Sequence, residues 1–234
     1  MSLAGLLAVL QLADSGFPSG RYTLSHGLES FAQSGALPSP PAPSLTELLR
    51  DAVRFGVAPS DGVALACAHR AVRGDGRVEL DAIVRADERL SAVKLAREGR
   101  QASMRTGRAL LRTAVDAMGT ALLVDYADLV DVGASPGNHA VVLGIVCADF
   151  DVPRLEAVAG ELFAFSAGWV AAAVRLALID HRVAQRILCH MHTVIAGAAS
   201  TALERDVDDI SSCTPVIDVM AMRHEDADER VFAT

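Results

Sequence analysis

Apolar side chains recur at every third or fourth position through most of the chain, the spacing that gathers them on one face of an α-helix. Between Leu80 and Met118 they fall at Leu80, Ile83, Val84, Leu90, Val93, Leu110, Leu111 and Val115, with acidic and basic residues on the other face. Gly99 is predicted to divide this stretch into two antiparallel helices. The segment from Leu155 to Leu203 repeats the pattern through Leu162, Phe165, Trp169, Leu178, Ile187, Met191 and Ile195. Leu3 to Ala13 is apolar on nearly every side, which predicts a short buried helix. Pro38, Pro40, Pro41 and Pro43 predict an extended connector. Ser44-Leu-Thr-Glu47 reads as a capping box that opens a helix to about Phe55. Ser60 or Asp61 would cap the next, running through His69 to Arg73 and closed by a Gly74-Asp75-Gly76 turn.

Composition sharpens this. Apolar residues make up 51% of the chain and aromatics only 4%, so the core has to be built from Ala, Leu and Val. Small side chains of this kind favour closely approaching helices over sheet. Pattern and composition together predict an all-α fold, a single-domain bundle of about ten helices. The body is expected over residues 1–214 and a tail over 215–234. Burying Val216, Ile217, Val219, Met220, Met222, Val231 and Phe232 does not outweigh the entropy of ordering that tail. It is therefore expected to be completed by a partner.

The net charge of −8 argues against nucleic acid, whose phosphates require a basic face, and against an anionic membrane surface. The longest uncharged run, between Asp131 and Asp149, is interrupted by Pro136 and glycines, and Met1 to Ala13 lacks the basic lead of a secretory signal. The expected protein is soluble and cytoplasmic. Cys67, Cys147, Cys189 and Cys213 are scattered singly, each expected as a small buried hydrophobe on a helical face.

Little in the sequence points to bond-making chemistry, to a resident metal or to a cofactor. No glycine-rich phosphate loop and no nucleophile elbow is present. His224-Glu225 lacks the second histidine of a zinc-protease helix, since position 228 is Asp. Cys189, His190 and His192 are one or two positions apart on a predicted helix and point in different directions. The alternative function is a nickel or zinc carrier using these residues or Cys67 with His69, and equilibrium dialysis with either metal would detect it. Arg175, inside an apolar stretch, is expensive unless paired, and is predicted to reach a carboxylate or a row of carbonyls.

One stretch carries more information than its hydrophobicity. Phe17-Pro-Ser-Gly20-Arg-Tyr-Thr-Leu-Ser-His26-Gly-Leu-Glu29 predicts a rigid loop feeding a helix capped by Thr23 or Ser25. Gly27 would then lie inside that helix, a cost best explained by another backbone packing against it. The same thirteen residues resemble the N-terminal signature of the UreF family of urease accessory proteins. Glu98-Gly-Arg100-Gln-Ala-Ser103 with Gly107 is similar to a second family motif, and Asn138-His139-Ala-Val-Val-Leu-Gly144 to a third, with Ala140 where the family has proline. Val170-Ala-Ala-Ala-Val-Arg175 and Gln185-Arg-Ile-Leu188 resemble two more. The ending, Pro215-Val-Ile-Asp218 through His224-Glu225 to Arg230-Val-Phe232, is the most specific.

The resemblance implies a non-catalytic scaffold for nickel insertion. It would form a homodimer, bind UreD (also called UreH) through its ends, and recruit and modulate the GTPase UreG so that the urease apoprotein receives nickel. By matched motif it implies partner-binding or supporting roles for Gly20, His26, Glu29, Glu98, Arg100, Arg175, His224, Glu225, Arg230 and Phe232. Arg230 is expected to pair with backbone or a carboxylate near the N-terminal signature.

Overall fold

Helix α8 (His139–Asp149) is apolar all round, and every residue from His139 to Cys147 is buried, as a helix without a polar face must be. Around it, in the computed structural model, pack α4 (Val63–Ala71), α6 (Arg97–Met118) and α9 (Arg154–Arg175). The structure describes residues 2–14, 16–72, 78–227 and 230–234. Two glycines let α8 and its leading loop come this close. A Cβ on Gly144 would stand 2.6 Å from the Leu65 carbonyl oxygen, and one on Gly107 would stand 2.0 Å from that of Gly137. The remaining helices are α1 (Leu3–Ala13), α2 (Leu28–Gln33), α3 (Ala42–Asp51), α5 (Leu80–Val93), α7 (Ala121–Asp131), α10 (His181–Leu203) and α11 (Pro215–Glu225). The all-α single bundle expected from the sequence is the observed fold, with no strand among the described residues.

Several boundaries differ from expectation, each for a physical reason. Neither Ser44 nor Ser60/Asp61 caps a helix. Helix α3 starts at Ala42 with Pro43 in its first turn, where the missing N–H costs nothing. The chain then runs unbroken into α4 through a π-helical stretch, Ala52–Gly62, that accommodates Pro59. Ser60 Oγ donates instead to the Gly56 carbonyl at 2.7 Å, and Asp61 meets Lys94 Nζ at 2.7 Å. Carbonyls of this stretch accept an outside segment: Phe55 O from Cys213 N at 2.8 Å and Pro59 O from Ser211 N at 3.0 Å. The Gly74-Asp75-Gly76 turn lies outside the described residues.

The break between α5 and α6 falls at Lys94 to Ala96, and Gly99 is inside α6. Arg100 holds that joint, its guanidinium donating to the Lys94 and Leu95 carbonyls at 2.5 and 2.6 Å. Helix α1 is not buried: Leu3, Leu7 and Leu10 are 73%, 57% and 58% exposed, because the helix lies on the rim of α9 and α8 by one face only. Cys67 and Cys147 are buried as expected, whereas Cys189 and Cys213 are exposed. Helix α9 is long and apolar enough to cross a membrane, yet 56% of its most apolar window is buried within the bundle.

One buried carboxylate, Asp87 of α5, was not singled out from the sequence. It accepts from Tyr126 Oη at 2.8 Å, Ser135 Oγ at 2.6 Å, Gly137 N at 2.6 Å, and both Asn138 N and Nδ2 at 2.9 and 2.8 Å. Five donors on one ion offset the cost of burying it. They also fix the loop that aims His139 into the bundle.

Candidate functional site

Pro18 and Gly20 turn the chain into a short 3-10 turn, Arg21–Thr23, with Gly20 at φ +76°. His26 and Gly27 follow in left-handed conformations, φ +53° and +81°, before α2 begins at Leu28. The helix therefore starts later than Thr23 or Ser25 would place it, and Gly27 sits just ahead of it rather than within. A close backbone is nonetheless the reason for this glycine: its Cβ would lie 3.1 Å from the Ala221 amide nitrogen of α11.

The last residues return to this turn and clasp it. Ser25 N donates to the Thr234 carbonyl at 2.9 Å, as does Ser25 Oγ, and Ala233 N donates to Thr23 O at 2.8 Å. Behind this pairing lies a buried array. His224 is fully buried, with Nδ1 2.8 Å from Glu98 Oε2 and Nε2 3.0 Å from Glu29 Oε2. Glu29 also accepts the Val231 and Phe232 amides at 2.7 and 3.0 Å. Arg230 closes the far side on Glu98 Oε1 at 2.7 Å. Both ring nitrogens of one imidazole thus face a carboxylate oxygen, one from α2 and one from α6.

Burial by itself would raise the Glu29 carboxyl. The Val231 amide, His224 and the Phe232 amide outweigh it and hold the group below the usual carboxylate range. Arg230 reaches a carboxylate beside the N-terminal signature, that of Glu98 on α6, which shares His224 with Glu29 of the signature; Glu29 takes the neighbouring amides. Arg175 departs further from expectation. It is exposed at the end of α9, and its guanidinium lies between the rings of Tyr22 and Phe232, 4.1 and 4.2 Å from their centroids. Flat cation faces on two aromatic rings replace the carboxylate.

Thus Glu29, Glu98, Arg175, His224, Glu225, Arg230 and Phe232, spread over the whole chain, meet at one end of the bundle. Glu225 accepts from Glu98 N at 3.2 Å and pairs with Arg97. A family model described as UreF matches residues 41–192. The chain is 32% identical over 231 residues to urease accessory protein UreF 2 of Brucella canis, spanning 99% of this chain and 93% of that protein. It belongs to the UreF family. Identity is 32% over 231 residues to urease accessory protein UreF of Trichodesmium erythraeum, covering 97% and 96% of the two chains. With that of Yersinia enterocolitica it is 30%, over the full length of both. The signature 17–29 and the ending 215–232 fall outside the matched 41–192 but inside these full-length similarities.

Beneath the clasp, this UreF-family chain holds a cavity of about 180 Å³ lined by Arg21, His26, Asp61, Lys94, His139, Glu161 and Trp169 among others. Arg21 grips Glu161 through both nitrogens at 2.7 and 3.0 Å and touches His139 Nε2 at 3.0 Å. His26 packs against Phe165 with the rings tilted and their centroids 4.7 Å apart. Burial, then the cations Arg21 and Lys94, push His26 down to about 3, and burial with Arg21 takes His139 well below its ordinary value. Both rings are neutral at physiological pH. Burial raises the Glu161 carboxyl, and Arg21 offsets part of that rise.

Not every matched residue joins the array. Gly20 lies in open space and shapes the turn, and Arg100 serves the α5–α6 joint. Cys189, His190 and His192 stand exposed on α10, and among the described residues no group of three or more His, Cys, Asp or Glu side chains is arranged to hold a metal ion. Reading the sequence missed Ser25, Arg21, Glu161 and the Asp61–Lys94 pair. The available signal was Glu161, a lone acid in the apolar run of α9.

Proposed function

We propose that this chain is a non-catalytic accessory protein in urease maturation. It binds UreD (UreH) through the clasped end, recruits and modulates the GTPase UreG, and so admits nickel to the urease apoprotein. It does so as a homodimer in the cytoplasm. The reading rests first on the family, in which the relatives described above are named urease accessory proteins. One observation carries it to a location: residues of the separate motifs gather around a chain end packed on α2 and α6. The polar groups there are engaged with one another, which suits holding a shape for a partner rather than attacking a substrate. In this reading residues 215–234 are the partner-binding tail, and coupling between partner sites runs through the Glu29–His224–Glu98 array.

The test is co-expression with UreD and UreG, comparing the full chain with Arg230→Ala and with a chain lacking its last twenty residues. Loss of the complex and of urease activation is expected for the truncation, and weakened capture for Arg230→Ala. Undiminished assembly by both would overturn the assignment.

A further inference from the structure

Beyond its first turn, which joins the clasp, helix α6 carries an exposed stretch that the clasp does not use. Ala102, Thr106, Leu110, Leu111 and Ala114 turn inward and are buried, while Arg105, Arg108 and Arg112 are exposed on the opposite side. With Gln101 and Met104 they line a shallow open depression. Helical geometry places the three at i, i+3 and i+7, a single stripe about 10.5 Å long from first to last Cα. Some arginines elsewhere on this surface pair with acids: Arg50 with Glu47, Arg70 with Asp206, Arg97 with Glu225 and Arg230 with Glu98. Among the described residues none of Arg105, Arg108 and Arg112 makes an ion pair, although Asp116 follows one turn beyond Arg112.

This arrangement runs against the rest of the chain. The protein carries 29 acidic residues to 21 Lys and Arg, yet here three guanidiniums sit side by side. Like charges at i,i+3 and i,i+4 destabilise a helix, so the stripe is locally unfavourable until an anion covers it. Its first member lies two turns past Glu98, so the basic strip continues directly from the clasp.

We infer that the Arg105–Arg108–Arg112 face of α6 is a docking strip for an acidic helical segment of a partner protein. Charge complementarity selects that occupant. Carboxylates at i, i+3 and i+7 on a facing helix meet all three guanidiniums in register, and each can be held by two parallel N–H donors. The exposed stripe offers no cradle of backbone amides for a single phosphate. This inference concerns a stretch of α6 outside the clasp and does not depend on which protein occupies the clasp.

The experiment uses the full-length chain and a labelled synthetic helical peptide with glutamates at i, i+3 and i+7, read by fluorescence anisotropy. Binding is expected, weakening as salt rises from about 10 mM to about 150 mM, since the screening length falls from about 30 Å to about 8 Å. The variant Arg105→Gln/Arg108→Gln/Arg112→Gln should bind about tenfold more weakly with its melting temperature unchanged, because exposed substitutions rarely disturb stability. Equal binding by variant and parent, or no binding by either, overturns the inference. So does equally tight, arginine-dependent binding of a duplex DNA oligonucleotide, which would make the strip a phosphate reader. Capture of UreD and UreG by the same variant keeps the two readings apart. Capture lost with Arg230→Ala but kept with the triple variant, together with unchanged peptide binding, defeats the strip and leaves the clasp standing.

Discussion

His224 and Glu29 stand 195 positions apart in the chain, and their side chains meet at 3.0 Å in a site from which solvent is excluded. The same Glu29 carboxylate takes the amides of Val231 and Phe232. One buried charge thus fastens both α11 and the chain end to the N-terminal turn. Glu29→Gln keeps the shape and removes the charge. It is expected to cost about 2–4 kcal/mol, the scale of breaking a buried charged network. Hydrogen exchange at the Val231, Phe232 and Ala233 amides should accelerate well before the bundle as a whole opens. Unchanged protection there would remove Glu29 as the fastener.

Acid should loosen the same region in two stages. His26 is held near 3 in the fold against about 6.5 when unfolded, so the folded state binds fewer protons. Its contribution is complete above pH 6.5 and is lost as pH falls toward 3; His139 acts in the same direction. Glu29 is held below its ordinary value, so its contribution is present above that value and disappears at still lower pH. Asn tolerates the left-handed backbone at position 26 and does not titrate. His26→Asn should therefore flatten the stability slope between pH 6 and 4 by up to about 1.4 kcal/mol per unit. Urea unfolding at a series of pH values checks this.

Asp87 is expected to be among the most sensitive positions. Asp87→Ala strands the Gly137 and Asn138 amides and the Tyr126 hydroxyl in the interior. A loss of about 3–5 kcal/mol follows from removing one partner of a buried charged network. Chemical denaturation would show it, and a loss below about 1 kcal/mol would show that water replaces the carboxylate.

Two glycines of α6 should respond in opposite directions. Gly107→Ala drives a methyl into the Gly137 carbonyl and the His139 amide, both backbone, and should cost about 3 kcal/mol or more. At Gly99 the nearest atom to an added Cβ is Ala96 Cβ at 3.9 Å, so Gly99→Ala should stabilise by about 1 kcal/mol. Melting temperatures of the two variants decide it.

The comparison at Gly99 shows why some features were legible and others not. A glycine in a polar helical stretch looks like a break, but the break is made by Arg100 reaching back to the Lys94 and Leu95 carbonyls. Leu3 to Ala13 looked buried because every side is apolar; how many sides find a neighbour depends on where α9 ends up.

Taken alone, the sequence determined the all-α class, most of the long helices and the family motifs, because three-to-four spacing and small apolar side chains act locally. It also determined which unusual residues exist, without their partners. Tertiary structure alone decided that His224 lies between Glu29 and Glu98, that Arg175 rests on two aromatic rings, and that Asp87 gathers five donors. A buried charge is stable only beside groups that compensate it, and those groups come from helices whose meeting no local pattern encodes.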